Sequence, residues 1–349
     1  VTLHLGDPVK SFDEPSGSES AAASIVTLQS GTRLPADVVI LGLGVRPETA
    51  LAREAGLQIG EAGGIRVDAQ MRTSDPDIFA VGDAVEVRDA VTGQWTVIPL
   101  AGPANRQGRI AADAIFGIPS QYKATQGTAI IRVFGLTAGC TGANAKSLTR
   151  AGLDFETVYL HPNSHAGYYP GAKPMAIKLL FCPKSGKVLG TQVVGPDGVD
   201  KRIDVFATAL RAGMTVDDLA DLELAYAPPF GSAKDPVNLA GMIAQNVMAG
   251  RMGVAQWSEV KAGADGGRFV LLDVREKAEV EAGRIPGSIH IPLGELRARL
   301  GELPRDREII VHCQSGQRSY FASRILAQRG FRVRNLTGSY KTWKTATGN

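Results

Sequence analysis

Cys313 and Arg318, with Gln314, Ser315, Gly316 and Gln317 between them and Ser319 following, sit where an apolar strand pattern, Glu308-Ile-Ile-Val-His312, runs into a helix pattern. A thiol at the end of a strand and before a helix N-terminus lies among inward-pointing backbone N–H groups, which favour the thiolate over the thiol. Arg318 is expected to add a fixed positive charge. Such a cradle suits nucleophilic sulfur chemistry, with the loop amides and the guanidinium stabilising anionic forms. The plain alternative is a buried structural Cys before an ordinary helix.

The flanking segments narrow the chemistry. They are Val270-Leu-Leu-Asp273-Val-Arg275-Glu276, Gly283-Arg-Ile-Pro286-Gly-Ser-Ile-His290-Ile-Pro292 and Gly338-Ser-Tyr-Lys-Thr-Trp343. With the Cys313 loop they make the C-terminal part resemble a rhodanese domain, a sulfurtransferase. Phosphatase loops of related fold are one residue longer and accept phosphate; the shorter ring here suits a persulfide sulfur. The resemblance implies that Cys313 carries a sulfane sulfur as a persulfide, that Gln314, Ser315, Gly316, Gln317, Ser319 and Arg318 surround it, and that Asp273 and Arg275 brace the loop. Inactive relatives usually lack the Cys, which is present here. His312 is read as packing beside the loop.

A chain of 349 residues, 44% hydrophobic, has room for two or three domains with real cores. The formal charge of +3 is spread without a basic block, which gives nucleic-acid binding no electrostatic support. Cys140, Cys182 and Cys313 are too few and too scattered for a disulfide framework or a zinc site, so no metal is expected. Cys140 and Cys182 read as structural, and the compartment as reducing and cytoplasmic. No apolar run reaches membrane-spanning length, and no signal peptide is recognisable. Because it opens with Val1 in a strand-like Val1-Thr-Leu-His-Leu, the chain is expected to be a fragment or a processed piece.

Upstream of residue 122 the pattern is α/β. Ser24-Ile-Val-Thr-Leu alternates like a half-buried strand, Ser30-Gly31 marks a turn, and Ala36-Asp-Val-Val-Ile-Leu-Gly-Leu-Gly44 predicts a fully buried parallel strand. Then come Gly44-Val-Arg46-Pro47, Gly64-Ile-Arg-Val-Asp68, Thr73-Ser-Asp75-Pro-Asp-Ile78-Phe79-Ala-Val-Gly82-Asp83-Ala84 and Pro99-Leu-Ala101-Gly-Pro103-Ala-Asn105-Arg106-Gln-Gly-Arg109. These resemble the flavin-dependent pyridine nucleotide–disulfide reductases. The resemblance implies that Gly82 and Asp83 meet the ribityl hydroxyls of FAD and that Leu100 and Ala101 lie against its isoalloxazine. Asp83 would close a strand at its carboxyl edge, where open α/β sheets bind ligands. The alternative for Pro103 is a capped surface helix, since Pro at a first turn is an ordinary start signal. No G-x-G-x-x-G occurs, so both dinucleotide phosphate loops and the family's redox-active cysteine are expected upstream of Val1, and the FAD site is incomplete.

Between residues 123 and 250, strand patterns at Gly127–Phe134, Phe155–Leu160, Ala176–Phe181 and Lys187–Val194, with a Pro183-Lys-Ser-Gly186 turn, predict an antiparallel sheet. Ile203, Phe206, Ala207 and Leu210 fall at helical spacing. This resembles the same family's dimerisation domain and implies a homodimer. His165-Ala-Gly-Tyr168-Tyr169-Pro170-Gly171 and Ala225-Tyr226-Ala-Pro228-Pro229-Phe230 look like coenzyme A–disulfide reductases, in which tyrosines approach the redox thiol and its substrate. Tyr226, with Tyr168 or Tyr169 as companion, could donate a proton or hydrogen bond to a departing thiolate. Equally, these are interface aromatics with satisfied hydroxyls. No His stands near Pro228 or Pro236 for a His–Glu pair, and His161, His165 and His290 read as surface or turn residues.

The expected organisation is α/β and α+β: residues 1–45 the end of an NAD(P)-binding domain, 46–122 the C-terminal segment of an FAD-binding domain, 123–250 an antiparallel-sheet dimerisation domain, and 251–349 a rhodanese α/β domain. As a whole the chain resembles the C-terminal part of a coenzyme A–disulfide reductase fused to a rhodanese. The resemblance implies FAD- and NAD(P)H-dependent reduction of persulfides, polysulfides and CoA disulfides, with small sulfur donors and acceptors as partners. The alternatives are a rhodanese sulfurtransferase on a flavin-free dimer scaffold, a peroxide- or oxygen-reducing flavoprotein NADH oxidase, and a phosphatase of rhodanese fold.

Overall fold

The computed structural model describes residues 2–16, 22–263 and 267–348, and divides into two compact units, 1–46 and 47–349. In the first, β1 (Val9–Asp13), β2 (Ser24–Leu28) and β3 (Arg33–Ala36) form an antiparallel sheet in that order, with Ile25, Val26 and Leu28 buried. Among the described residues the first strand is therefore at Val9–Asp13, and residues 2–5 form none. Of residues 36–44, predicted as a buried parallel strand, Ala36 ends the antiparallel β3 and residues 37–44 join no strand pair among the described residues, with Val38, Ile40 and Leu43 exposed. A run that is apolar on both faces suits the centre of a layered sheet, and a lone three-stranded meander offers no such layer.

The second unit begins with α1 (Ala50–Glu54), β4 (Ile65–Arg66), β5 (Val85–Arg88), β6 (Trp95–Thr96) and α2 (Ala101–Ile115), which enclose Ile65, Val67, Met71, Val85, Val87 and Ile110. Next come β7 (Ala129–Val133), β8 (Leu136–Gly142), α3 (Ala145–Arg150), β9 (Glu156–Leu160), β10 (Ala176–Phe181), β11 (Val188–Gly195), α4 (Val199–Ala212), α5 (Val216–Asp221) and α6 (Pro236–Met248). The sheet is antiparallel, as the patterns predict, in the order β7-β8-β11-β10-β9; β8 (Leu136–Gly142) is not among the predicted strands. Its core gathers Leu179, Phe181, Val193, Ile203, Phe206, Leu219 and Val237. Gly139 makes room for α4: a Cβ there would stand 2.6 Å from Ile203 Cγ1. Of the predicted helical stripe, Ile203, Phe206 and Leu210 are buried and Ala207 is half-buried.

The last part holds β12 (Val254–Ala255), α7 (Trp257–Gly263), β13 (Phe269–Asp273), α8 (Lys277–Glu281), β14 (Ile289–His290), β15 (Glu308–His312), α9 (Gln317–Gln328), β16 (Val333–Leu336) and α10 (Ser339–Thr347). The sheet is parallel, ordered β12-β16-β15-β13-β14, with β15 central. Ile309, Ile310 and Val311 are all buried, because helices cover both faces of a parallel sheet and remove any alternation. The carboxyl end of β15 delivers Cys313 to the place where such sheets bind ligands. Among the described residues no helix is long and apolar enough to cross a membrane.

Candidate functional site: the Cys313 loop and its surroundings

Cys313 leaves β15 fully buried, with its sulfur at the centre of the following turn. Gly316, at φ 116° just before α9, aims its N–H at Cys313 Sγ, 3.1 Å away. A left-handed backbone of this kind favours glycine. The Ser319 hydroxyl lies 3.4 Å from Sγ and 3.0 Å from the Gly316 carbonyl oxygen. It has one proton to give, and a thiolate draws that proton to sulfur. Burial pushes the thiol up, but the Ser319 hydroxyl and the amides of Ser319, Gly316 and Ser315 outweigh it and hold Cys313 below the usual thiol range. Behind the sulfur, Ser339 Oγ accepts the Cys313 N–H at 3.2 Å and lies 3.2 Å from Ser319 Oγ.

Arg318 departs from expectation. Its guanidinium makes a two-pronged pair with Glu279 of α8, at 2.6 and 2.7 Å, so most of its charge is answered by a carboxylate. This pair holds the Glu279 carboxyl below its usual range and pushes Arg318 up. Asp273 and Arg275 form a second two-pronged pair, both fully buried, and Arg275 Nη1 donates to Gln314 Oε1 at 3.2 Å. The guanidinium also covers the Tyr340 ring at 4.2 Å. His312 is buried beside Asp273 with Nε2 3.1 Å from Ser288 Oγ, and burial drives its pKa down to about 4.

A cavity of ≈480 Å³ opens over the loop. Ser315, Gly316 and Gln317 line one side, Tyr320 and Phe321 of α9 another, and Met242, Ile243 and Asn246 of α6 face them from the middle domain. Asn335 gives its amide N–H to the Gly316 carbonyl at 3.3 Å, while its buried Oδ1, also in this lining residue, has no hydrogen-bond partner. The size and the mix of apolar walls with a few polar groups match a small-molecule site.

Tyr168 and Tyr226 meet as the sequence suggested, hydroxyl to hydroxyl at 3.0 Å, and the contact with Tyr168 pushes the Tyr226 hydroxyl up. Tyr169 instead sets its ring edge-on to His165, which is buried and not a surface residue. The two loops are tied by Ala166 N–H to the Gly231 carbonyl at 2.8 Å, and the buried Arg202–Asp235 pair nearby joins α4 to the start of α6, which Asp235 also caps. None of the three tyrosines lines the cavity over Cys313.

Gly82 and Asp83 form a short turn in which the Gly82 N–H donates to Gln107 Oε1 of α2 at 2.7 Å; Asp83 itself is exposed. Leu100 and Ala101 begin α2 with no side chain capping its N-terminus. They border a cavity of ≈1050 Å³ whose far wall is Ala124–Ile130 and α4. An exposed carboxylate and a free helix N-terminus on one rigid support fit the polar part of a flavin.

Sequence reasoning missed Glu279 and the roles of Ser339 and Asn335. The Gly338-Ser339-Tyr340 segment was visible as a motif, but nothing in it says that Ser339 reaches back to Cys313. Cys182, read as structural, lies at a hairpin turn where the Ser185 hydroxyl pulls its thiol down.

Residues 1–108 match the profile of pyridine nucleotide-disulphide oxidoreductases, 128–236 that family's dimerisation domain, and 256–346 the rhodanese-like domain. The chain is 36% identical to a NADH oxidase of Methanocaldococcus jannaschii over 66% of its own length and 50% of that protein. It superposes on reduced CoADR-RHD of Bacillus anthracis with TM-score 0.91 and 49% identity, covering 98% of this chain and 60% of that one. For a NAD-dependent persulfide reductase of A. fulgidus the values are 0.85, 41%, 97% and 60%. The chain spans about half the length of the curated relatives it matches.

Proposed function

We propose, for a chain that belongs to the pyridine nucleotide-disulphide oxidoreductase family and ends in a rhodanese-like domain, that Cys313 carries sulfane sulfur for a flavin-dependent persulfide or CoA-disulfide reductase. The observation that carries this reading is the convergence of the Gly316 amide and the Ser319 hydroxyl on the buried Cys313 Sγ, in a loop whose Ser315, Gly316 and Gln317 line an adjoining cavity.

The chemistry balances without an outside oxidant. The Cys313 thiolate attacks the outer sulfur of thiosulfate, the sulfur–sulfur bond breaks, and sulfite leaves with the bonding pair. Cys313 then holds a persulfide anion, whose charge the loop amides and Ser319 stabilise. An incoming thiolate attacks the terminal sulfur of the protonated persulfide, forms a new persulfide and returns Cys313 as thiolate. Arg318 is held beside the loop by Glu279. CoA derivatives are the small thiols that the resemblance implies.

Gly82, Asp83, Leu100 and Ala101 would hold FAD, whose chemistry when bound is to pass electrons from NAD(P)H to a sulfur substrate. Tyr226 and Tyr168 would supply a hydrogen bond to a departing thiolate, and the matched dimerisation domain supports a homodimer. An oxygen-reducing NADH oxidase is the weaker reading, since the solved structure of a water-forming NADH oxidase covers 70% of the chain at TM-score 0.64 while that of the persulfide reductase covers 97% at 0.85.

The test is sulfur transfer from thiosulfate to cyanide, and to a thiol, by the purified chain and by Cys313→Ser. Activity in the first and none in the second is expected; transfer by Cys313→Ser overturns the reading. A visible absorbance spectrum decides the cofactor part: a flavin band supports FAD binding by these residues, and a colourless protein assigns this chain sulfur transfer alone.

A further inference from the structure

One edge of the middle sheet is closed by the C-terminal domain. β9 pairs with β10 on one side only, and an open strand edge leaves N–H and C=O groups unsatisfied. Here they are answered by side chains from the other domain. The Tyr159 N–H donates to Thr337 Oγ1 at 2.7 Å, and Gln256 Nε2 donates to the Thr157 carbonyl at 3.0 Å. Just past the strand, His161 Nε2 lies 2.8 Å from Thr342 Oγ1.

Thr337 and Thr342 bracket a tight turn. Gly338 and Ser339 both have left-handed backbones, at φ 68° and 53°. A Cβ on Gly338 would stand 2.7 Å from Tyr159 Cβ and 2.8 Å from Thr342 Cβ, so the turn presses directly on the middle domain. Its other side grips the loop that carries the thiol. Ser339 Oγ accepts the Cys313 N–H at 3.2 Å, Tyr340 N–H donates to the Cys313 carbonyl at 3.1 Å, and Lys341 N–H donates to the Gln314 carbonyl at 3.1 Å. Residues 337–342 thus have the middle sheet on one face and the Cys313 loop on the other.

We propose that Tyr159 and His161 of the middle domain are positioning residues for Cys313, acting through the 337–342 turn to hold Ser339 and the loop around the sulfur. The inference rests on reading Cys313 as the reactive thiol. Its consequence is that the neighbouring domain adjusts the thiol reactivity that Ser319 and the loop amides of the rhodanese-like domain set.

The test is the pH dependence of iodoacetamide alkylation at Cys313 in the full chain, followed by mass spectrometry of its peptide. Thr337→Val with Thr342→Val removes both hydroxyls at little change in shape. The alkylation midpoint should rise, and the rate at neutral pH fall about threefold, the change in thiolate fraction that about half a pKa unit brings. Serine at both positions should restore the wild-type profile. His161→Phe, on the opposite side of the contact, should shift the midpoint in the same direction and keeps the test open if the double variant does not fold. Wild-type profiles in the folded valine variant or in His161→Phe overturn the proposal. Alkylation needs no sulfur donor, so a wild-type protein that alkylates as expected yet never takes up sulfur contradicts the proposed function and not this inference.

Discussion

Arg318 turns its guanidinium onto Glu279, at 2.6 and 2.7 Å, and leaves the Cys313 sulfur to a hydroxyl and backbone amides. The sequence suggests that Arg318 adds a fixed positive charge to the loop amides, and it does not show that Glu279 answers that charge. A paired guanidinium projects little net field, so Glu279 sets how much of Arg318 the sulfur feels. Glu279→Gln should lower the alkylation midpoint of Cys313 by about half a pH unit. Arg318→Gln should raise it, because an unanswered carboxylate then faces the loop. The same midpoint in both variants would mean that the pair is electrically silent toward the sulfur.

Ser319 is the side chain that contributes most to holding the thiol down. Ser319→Ala removes that hydrogen bond and also leaves Ser339 Oγ without one neighbour. A charge-assisted bond contributes about 1.5–3 kcal/mol, so thiolate reactivity at neutral pH should fall at least about tenfold. Alkylation kinetics across pH measure this directly.

His312 titrates near pH 4 when folded, against an ordinary value of 6.5. Its folded pKa is depressed, so the stability it contributes is complete above pH 6.5 and is lost as pH falls from there toward 4. Across that window the loss is on the order of 3 kcal/mol. His312→Gln keeps a partner for Ser288 without a titrating ring. Its urea-denaturation midpoint should therefore change less between pH 6.5 and 4 than that of the wild type, and parallel acid limbs would contradict the assignment.

Arg202 and Asp235 are paired at 2.8 Å with almost no exposure, and Asp235 also caps α6 next to the Tyr226 loop. Arg202→Met strands a buried carboxylate and should destabilise the protein by about 3–5 kcal/mol. Arg202→Met with Asp235→Leu should recover part of this loss while still lacking the cap. Chemical denaturation of the three proteins orders these effects.

Much of the site could be read from local spacing. The strand, the Cys313–Arg318 loop and the following helix are contiguous, so their pattern survives without knowledge of the rest of the fold, and the alternation of Ala176–Phe181 against Val188–Gly195 likewise fixes an antiparallel hairpin. What sequence cannot carry is contact between distant segments. Glu279 lies 39 residues from Arg318, and Ser339 lies 26 from Cys313. Residues 37–44 show the reverse failure: their apolar run describes a strand buried on both faces, yet strand formation depends on neighbours that this sheet does not provide.

The most direct test of sulfur carriage is mass spectrometry of the Cys313 peptide after the protein is incubated with thiosulfate and trapped with iodoacetamide. The account predicts an added sulfur atom on Cys313 alone, removed by cyanide and absent from Cys313→Ser. An unmodified Cys313, or sulfur taken up equally by Cys313→Ser, would contradict it.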